Sequence, residues 1–154
     1  KHKVDSLMNK EVAVSAKEMR RGLGALSNWV SDAARDITAE LSGIKVDCSI
    51  MNKGGIRCDM PKGSVSEGLI NSMFPFDNRL QVLELTGTQI LRSLEIMAGR
   101  GGDATSSDLV VEFTKDKKIK SAKINGKNIK PNKKYKNKCK CTSIKKIRVD
   151  IHNR

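Results

Sequence analysis

One long apolar stripe constrains the fold more than any other feature of the 154-residue chain. Leu26, Trp29, Val30, Ala33, Ala34, Ile37 and Leu41 recur at spacings of three and four, which predicts an amphipathic helix with one buried face. Ser27 is the expected N-cap and Gly43 the expected C-terminal stop. Such a helix needs an apolar surface to cover, and segments of alternating polarity supply it. Residues 11–16 read as one strand, Val46, Cys48 and Ile50 as a second, and residues 80–85 as a third. Residues 64–73 suit a short helix, and Ile90, Leu91, Leu94 and Met97 line one face of another that begins at Thr86-Gly87. Residues 109–113 and 118–124 predict a hairpin, followed by Asn125-Gly126 as the strongest turn dipeptide. Val4, Leu7 and Met8 allow a short helix in the first ten residues. Strands and helices interleave without regular βαβ spacing, so the expected class is α+β.

Charge divides the chain unevenly. The formal net charge is +13, yet residues 1–114 hold 14 basic and 15 acidic residues, while residues 115–154 hold 16 and 2. The first three quarters is nearly neutral, with enough apolar residues to bury a core. Any role for the basic charge belongs to the last quarter, where a nucleic-acid or anionic-surface module is the rival reading. No apolar run approaches the roughly 18 residues of a membrane span.

Several chemistries are missing. His2 and His152, both near a terminus, are the only histidines, too few for a dimetal phosphoesterase centre. No phosphate-binding loop of the Walker type and no dinucleotide fingerprint occurs. Cys48, Cys58, Cys139 and Cys141 lack the paired knuckles of a structural zinc site and read as thiols without a role. Alone, the chain is expected to bind rather than to catalyse. The start, Lys1-His2-Lys3-Val4, shows no leader peptide.

Three local features could form an anion or nucleotide site. Asn52-Lys53-Gly54-Gly55-Ile56-Arg57 follows a strand, so Gly54 and Gly55 let backbone approach a ligand, Arg57 offers a planar fork to phosphate, and Asn52 both donates and accepts. A plain glycine turn with a solvated arginine is the competing reading. Phe74-Pro75-Phe76-Asp77-Asn78 places two of the five aromatic residues around a proline, where a ring could stack on a base or enter the core; Phe74 fits the core better. Arg20 and Arg21 lie near a helix start, and as a pair they also read as ordinary surface charge.

Taken in order, these motifs resemble the C-terminal domain of the 5′-nucleotidase and UDP-sugar hydrolase family. Leu26-Ser27-Asn28-Trp29-Val30-Ser31-Asp32-Ala33 is similar to the family's L-G-N-L-x-A-D-A, and Ile50-Met51-Asn52-Lys53-Gly54-Gly55-Ile56-Arg57 to its L-M-N-G-G-G-I-R. Phe74 to Asn78 resembles L-P-F-G-N, Leu83-Glu84-Leu85-Thr86-Gly87 resembles v-E-L-T-G, and Asn125-Gly126-Lys127 with Pro131-Asn132-Lys133-Lys134-Tyr135 resembles the late elements. The resemblance implies an α+β fold with mixed sheet layers packed between helices. It implies a domain that grips a nucleotide or nucleotide-sugar for an N-terminal dimetal domain in nucleotide catabolism. Arg57 would then meet the phosphates, Asn52 the base, Phe76 one face of the base, and Arg20 or Arg21 a further phosphate. This chain would carry no cofactor, its divalent metals belonging to a partner metallophosphatase domain or chain. Nucleic acid is disfavoured as a partner, and the location implied is periplasmic or otherwise extracytoplasmic, with the leader removed.

The departures are specific. Gly24-Ala25 stands where the family has a pair such as Glu-Ser, and Lys53 or its neighbour replaces one glycine of G-G-G. The late strand and G-G-D-G loop, which bring a second stacking ring, never appear after Tyr135. Residues 1–136 are therefore read as the substrate-binding domain and residues 137–154 as a divergent Lys/Cys-rich tail, truncated or altered in frame.

Overall fold

The computed structural model describes residues 8–76 and 80–140, with the backbone alone described for 137–140. Among the described residues, nine strands and three α-helices follow one another as β1 (Glu11–Ser15), α1 (Ala25–Ser42), β2 (Cys48–Met51), β3 (Gly63–Ser66), α2 (Glu67–Met73), β4 (Gln81–Thr86), α3 (Gly87–Gly99), β5 (Ala104–Thr105), β6 (Leu109–Phe113), β7 (Ile119–Ile124), β8 (Lys127–Asn128) and β9 (Lys134–Lys140). The long helix, both β-segments of the hairpin and the α3 stripe form as their periodicity requires, but of the α1 stripe only Leu26, Val30 and Ala34 are buried, and Trp29, Ile37 and Leu41 remain exposed. Of the helix expected in the first ten residues, residues 1–7 lie outside the described part.

Three sheets are present among the described residues. Four strands run in the order β4-β9-β2-β5, β1 pairs with β3, and β6-β7-β8 form a meander. β9 is parallel to β2 and antiparallel to β4. The strand β2 is buried along its whole length. Its side chains alternate between two cores. Cys48 and Ile50 join Ile90, Leu94, Leu109, Ile124 and Tyr135 on the α3 side. Met51 joins Leu26, Val30, Ala34, Met60, Val65 and Met73 on the α1 side. The mixed sheet therefore lies between helices, as the α+β reading expects.

Two local expectations are corrected. Ser27 is not the N-cap: α1 begins at Ala25, with Gly24 before it. Ser27 instead reaches back one turn, its hydroxyl accepting from the Gly24 N–H and donating to the Gly24 carbonyl, both at 3.0 Å. Ser27 thus takes the N3 place of a capping box and satisfies the N–H of the residue before the helix. Residues 64–73 are not one helix. Val65, 1% exposed, is paired against β1, and only from Glu67 does the chain coil, with the Ser66 hydroxyl accepting from the Leu69 N–H at 3.2 Å. The apolar periodicity that suggested a helix begins at Leu69, and the stretch before it alternates as a strand.

The Cys48 thiol is buried in the first core, and burial, followed by the neighbouring Asp47 charge, pushes its pKa up to about 12. A buried neutral thiol is a poor nucleophile. We expect native-state alkylation at mildly alkaline pH to leave the Cys48 peptide unlabelled while the half-buried Cys58 reacts, with both labelled after unfolding. Peptide mass spectrometry reads this directly, and equal labelling of the two in the native protein would contradict the packing.

Candidate functional site

The site is assembled where β2 ends. After Met51 the chain enters a single 3₁₀ turn, Lys53–Gly55, and Asn52 fixes it: its side-chain oxygen accepts from the Gly54 N–H at 2.9 Å. Asn is suited to this because its short carbonyl mimics a backbone acceptor. The turn aims Arg57 back over itself, so that Nη1 donates to the Gly54 carbonyl at 3.2 Å. The Arg57 N–H donates to the Met73 carbonyl at 3.0 Å, which ties the turn to the end of α2.

That tie brings in the aromatic segment. Phe74 leaves α2 and packs against the second core, and Phe76, two residues on, remains 50% exposed. The Arg57 guanidinium carbon stands 5.7 Å from the Phe76 ring centroid, within cation–π range. Asp77 and Asn78 of the same motif lie outside the described residues.

The arginine pair divides. Met19 and Met60 exchange backbone hydrogen bonds of 2.8 and 2.9 Å, laying residues 19–21 alongside residues 57–60. Arg21 is held by its N–H, which donates to Asp59 Oδ1 at 2.6 Å, and its Nη1 donates to the Arg57 carbonyl at 3.2 Å. The Arg20 side chain is 84% exposed and pairs with Glu18 at 3.5 Å. The structure thus gathers Asn52, Gly54, Gly55, Arg57, Phe76 and Arg21, and sends the Arg20 head group to Glu18.

Sequence reading missed the groups that brace this cluster. Lys53 Nζ donates to the Gly101 carbonyl at 2.8 Å, so the lysine standing in the glycine turn works as a strut to the 99–103 loop. Asp59, which holds Arg21, and Asp103, whose Oδ1 accepts from the Lys53 N–H at 3.4 Å, brace the cluster as well. No local spacing could reveal partners 38 to 50 residues apart. Beside this loop an open apolar groove of about 170 Å³ is lined by Leu23, Leu94, Met97, Gly102, Leu109 and Phe113 among others.

Among the described residues no group of three or more His, Cys, Asp or Glu side chains could hold a metal ion. The described residues do not fit a dimetal centre. No described helix is long and apolar enough to cross a membrane. The cluster can do two things chemically: hold an anion at its guanidinium groups, and offer an exposed ring face to a planar ligand.

Comparisons with known proteins agree with this fold. A family model described as 5′-nucleotidase, C-terminal domain matches residues 5–138. The chain is 34% identical over 92 residues to the trifunctional nucleotide phosphoesterase protein YfkN of Bacillus subtilis, covering 58% of this chain and 6% of that protein. It is 37% identical over 75 residues to the cell wall protein Lmo0130 of Listeria monocytogenes, covering 45% of this chain and 9% of that one. The chain thus spans less than a tenth of either relative. The crystal structure of a 5′-nucleotidase precursor from Thermus thermophilus superposes with a TM-score of 0.76 at 20% identity, over 90% of this chain and 31% of that one. Likeness at that identity speaks for the fold, and the family model, matching most of the sequence, speaks for descent: the chain belongs to the 5′-nucleotidase C-terminal domain family.

Proposed function

We propose that this domain grips a nucleotide or nucleotide-sugar and presents it to a metallophosphatase domain or chain for phosphoester hydrolysis in nucleotide catabolism. The observation that carries the reading is the placement of the Arg57 guanidinium 5.7 Å from the centroid of the half-exposed Phe76 ring. One residue then meets phosphate while its neighbour presents a flat apolar face to the base. Arg21, whose guanidinium lies against the Arg57 backbone, is the better placed of the two loop arginines for a second phosphate contact. Gly54 and Gly55 leave the turn uncrowded by side chains, and Asn52 would meet the base through its amide while its oxygen holds the turn. The divalent metals would be held by that metallophosphatase partner, as the family resemblance implies. An extracytoplasmic location goes with the same reading and with a relative named as a cell wall protein.

Titration of AMP and UDP-glucose into the protein tests this. Arg57→Ala should weaken binding about ten- to a hundredfold, the worth of a charge-assisted hydrogen bond, with Arg57→Lys recovering part of the loss. Phe76→Ala should cost about 1–3 kcal/mol of stacking. Equal and negligible binding by wild type and Arg57→Ala would remove the reading for this chain.

A further inference from the structure

The segment that carries Arg21 is loosely built by itself. It leaves the Met19–Met60 pairing and reaches α1 through Gly22-Leu23-Gly24, where Gly22 has a φ of +103° and Gly24 one of +149°. A Cβ at either glycine would meet nothing within 4 Å, so no neighbour crowds that side of them. Glycine allows its backbone more conformations than any other residue, and here one stands on each side of Leu23. Arg21 itself is held by two hydrogen bonds, its N–H to Asp59 and its Nη1 to the Arg57 carbonyl, and both are exposed. Water competes for such bonds, so their net hold on the segment is modest.

Leu23 supplies a contact for which water does not compete. Its side chain forms one wall of the apolar groove, facing Leu94 and Met97 of α3 and Leu109 and Phe113 of β6. It leans on Gly102 so closely that a Cβ there would come within 2.8 Å of Leu23 Cδ1. The backbone it leans on is fixed. The Gly101 and Gly102 N–H groups donate to the Ala98 and Met97 carbonyls at the end of α3, at 3.1 and 2.8 Å, and Lys53 Nζ ties the Gly101 carbonyl to the Asn52 turn. One loop therefore braces both arginine-bearing segments, the Arg57 turn through Lys53 and the Arg21 segment through Leu23. Leu23 is 56% exposed and belongs to neither core, so the fold itself does not depend on it. We propose that Leu23 is a positioning residue: seated against Gly102, it fixes the Gly22–Gly24 hinge and so keeps the Arg21 guanidinium beside Arg57. The proposal rests on the reading of Arg21 as a second phosphate contact.

Two measurements on the full chain test it. Brief trypsin digestion of the native protein, read by mass spectrometry, follows cleavage after Arg21, which requires the segment to leave its place. Leu23→Ala should speed that cleavage about four- to tenfold, the worth of one or two buried methylenes, and Leu23→Met, of similar volume, should return it towards the wild-type rate. Titration with AMP follows the arginine. Leu23→Ala should weaken binding about two- to tenfold, the cost of ordering a freed side chain, and should add nothing in an Arg21→Ala background. The melting transition should stay in place. Three results would overturn the proposal: cleavage after Arg21 no faster in Leu23→Ala than in wild type, equal Leu23→Ala losses of AMP binding with and without Arg21, or a lowered melting transition that Leu23→Met fails to restore. Negligible AMP binding by wild type would instead remove the nucleotide reading, and the cleavage rates would then decide alone whether Leu23 holds the segment.

Discussion

Replacing Gly87 with alanine is expected to destabilise the domain by about 3 kcal/mol, the upper end of ordinary overpacking costs. Gly87 is the first residue of α3, and a Cβ there would collide with the Lys130 carbonyl oxygen and sit 2.8 Å from Ile129 Cγ2. The obstructing atom belongs to backbone that is itself held: the Gly87 N–H donates to the Lys133 carbonyl at 2.9 Å and the Thr88 N–H to the Pro131 carbonyl at 3.0 Å. Relief requires the 130–133 turn to move away from the helix that it caps. Gly99→Ala, at the other end of the same helix, meets nothing within 4 Å and is the matched control. It should be neutral or add up to about 1 kcal/mol through helix propensity. Urea midpoints at unchanged m-values measure both. If Gly87→Ala is tolerated as well as Gly99→Ala, the close approach of turn to helix is absent in solution.

That contact also marks the limit of what the sequence could show. Thr86-Gly87 was legible as a helix start and as part of the E-L-T-G motif, because caps and motifs are local. Why glycine is needed was not legible, because the atom that forbids a side chain arrives from residue 130. The same division runs through the site. The Asn52–Arg57 turn and the Phe74–Phe76 segment could be singled out from their residue types, yet their meeting depends on the Arg57 N–H reaching the end of α2. The strand β9 is the sharpest case. Its Lys-Tyr-Lys-Asn-Lys-Cys-Lys composition resembles a solvated tail, yet its backbone runs through the middle of the four-stranded sheet as far as Lys140, and the family match ends at residue 138. Ladder pairing is a property of N–H and C=O groups, to which every one of those residues contributes equally, so composition carried no sign of it. Residues 141–154, with Cys141 and the remaining basic charge, lie outside the described part.

The second large effect is expected at Arg35, which no motif pointed to. It sits midway along α1, only 17% of its side chain is exposed, and three carboxylates surround it. Asp32 lies 3.2 Å from Nη1, Asp36 lies 2.8 Å from Nη2, and Asp108 also pairs with Nη1. Burial opposes its charge, but hydrogen bonds to Asp36 and Asp32 outweigh it and raise the pKa above the ordinary arginine value. Asp32 in turn accepts from the Ser107 N–H at 2.8 Å and from its hydroxyl at 3.0 Å, so the pair latches α1 to the segment that follows β5. Arg35→Met would leave Asp32 and Asp108, about a quarter exposed, without their cation, and should cost about 3 kcal/mol. Asp36→Asn, at a carboxylate 66% exposed, should cost under about 1 kcal/mol. Arg35→Met/Asp108→Asn should recover part of the loss, since removing both charges is cheaper than stranding one. Denaturation of the three variants decides it: if Arg35→Met costs no more than Asp36→Asn, the guanidinium is not paired in solution. β5 pairs Ala104 with Met51, the residue before the Asn52 turn, so loosening this latch should also weaken AMP binding without any change at Arg57 or Phe76.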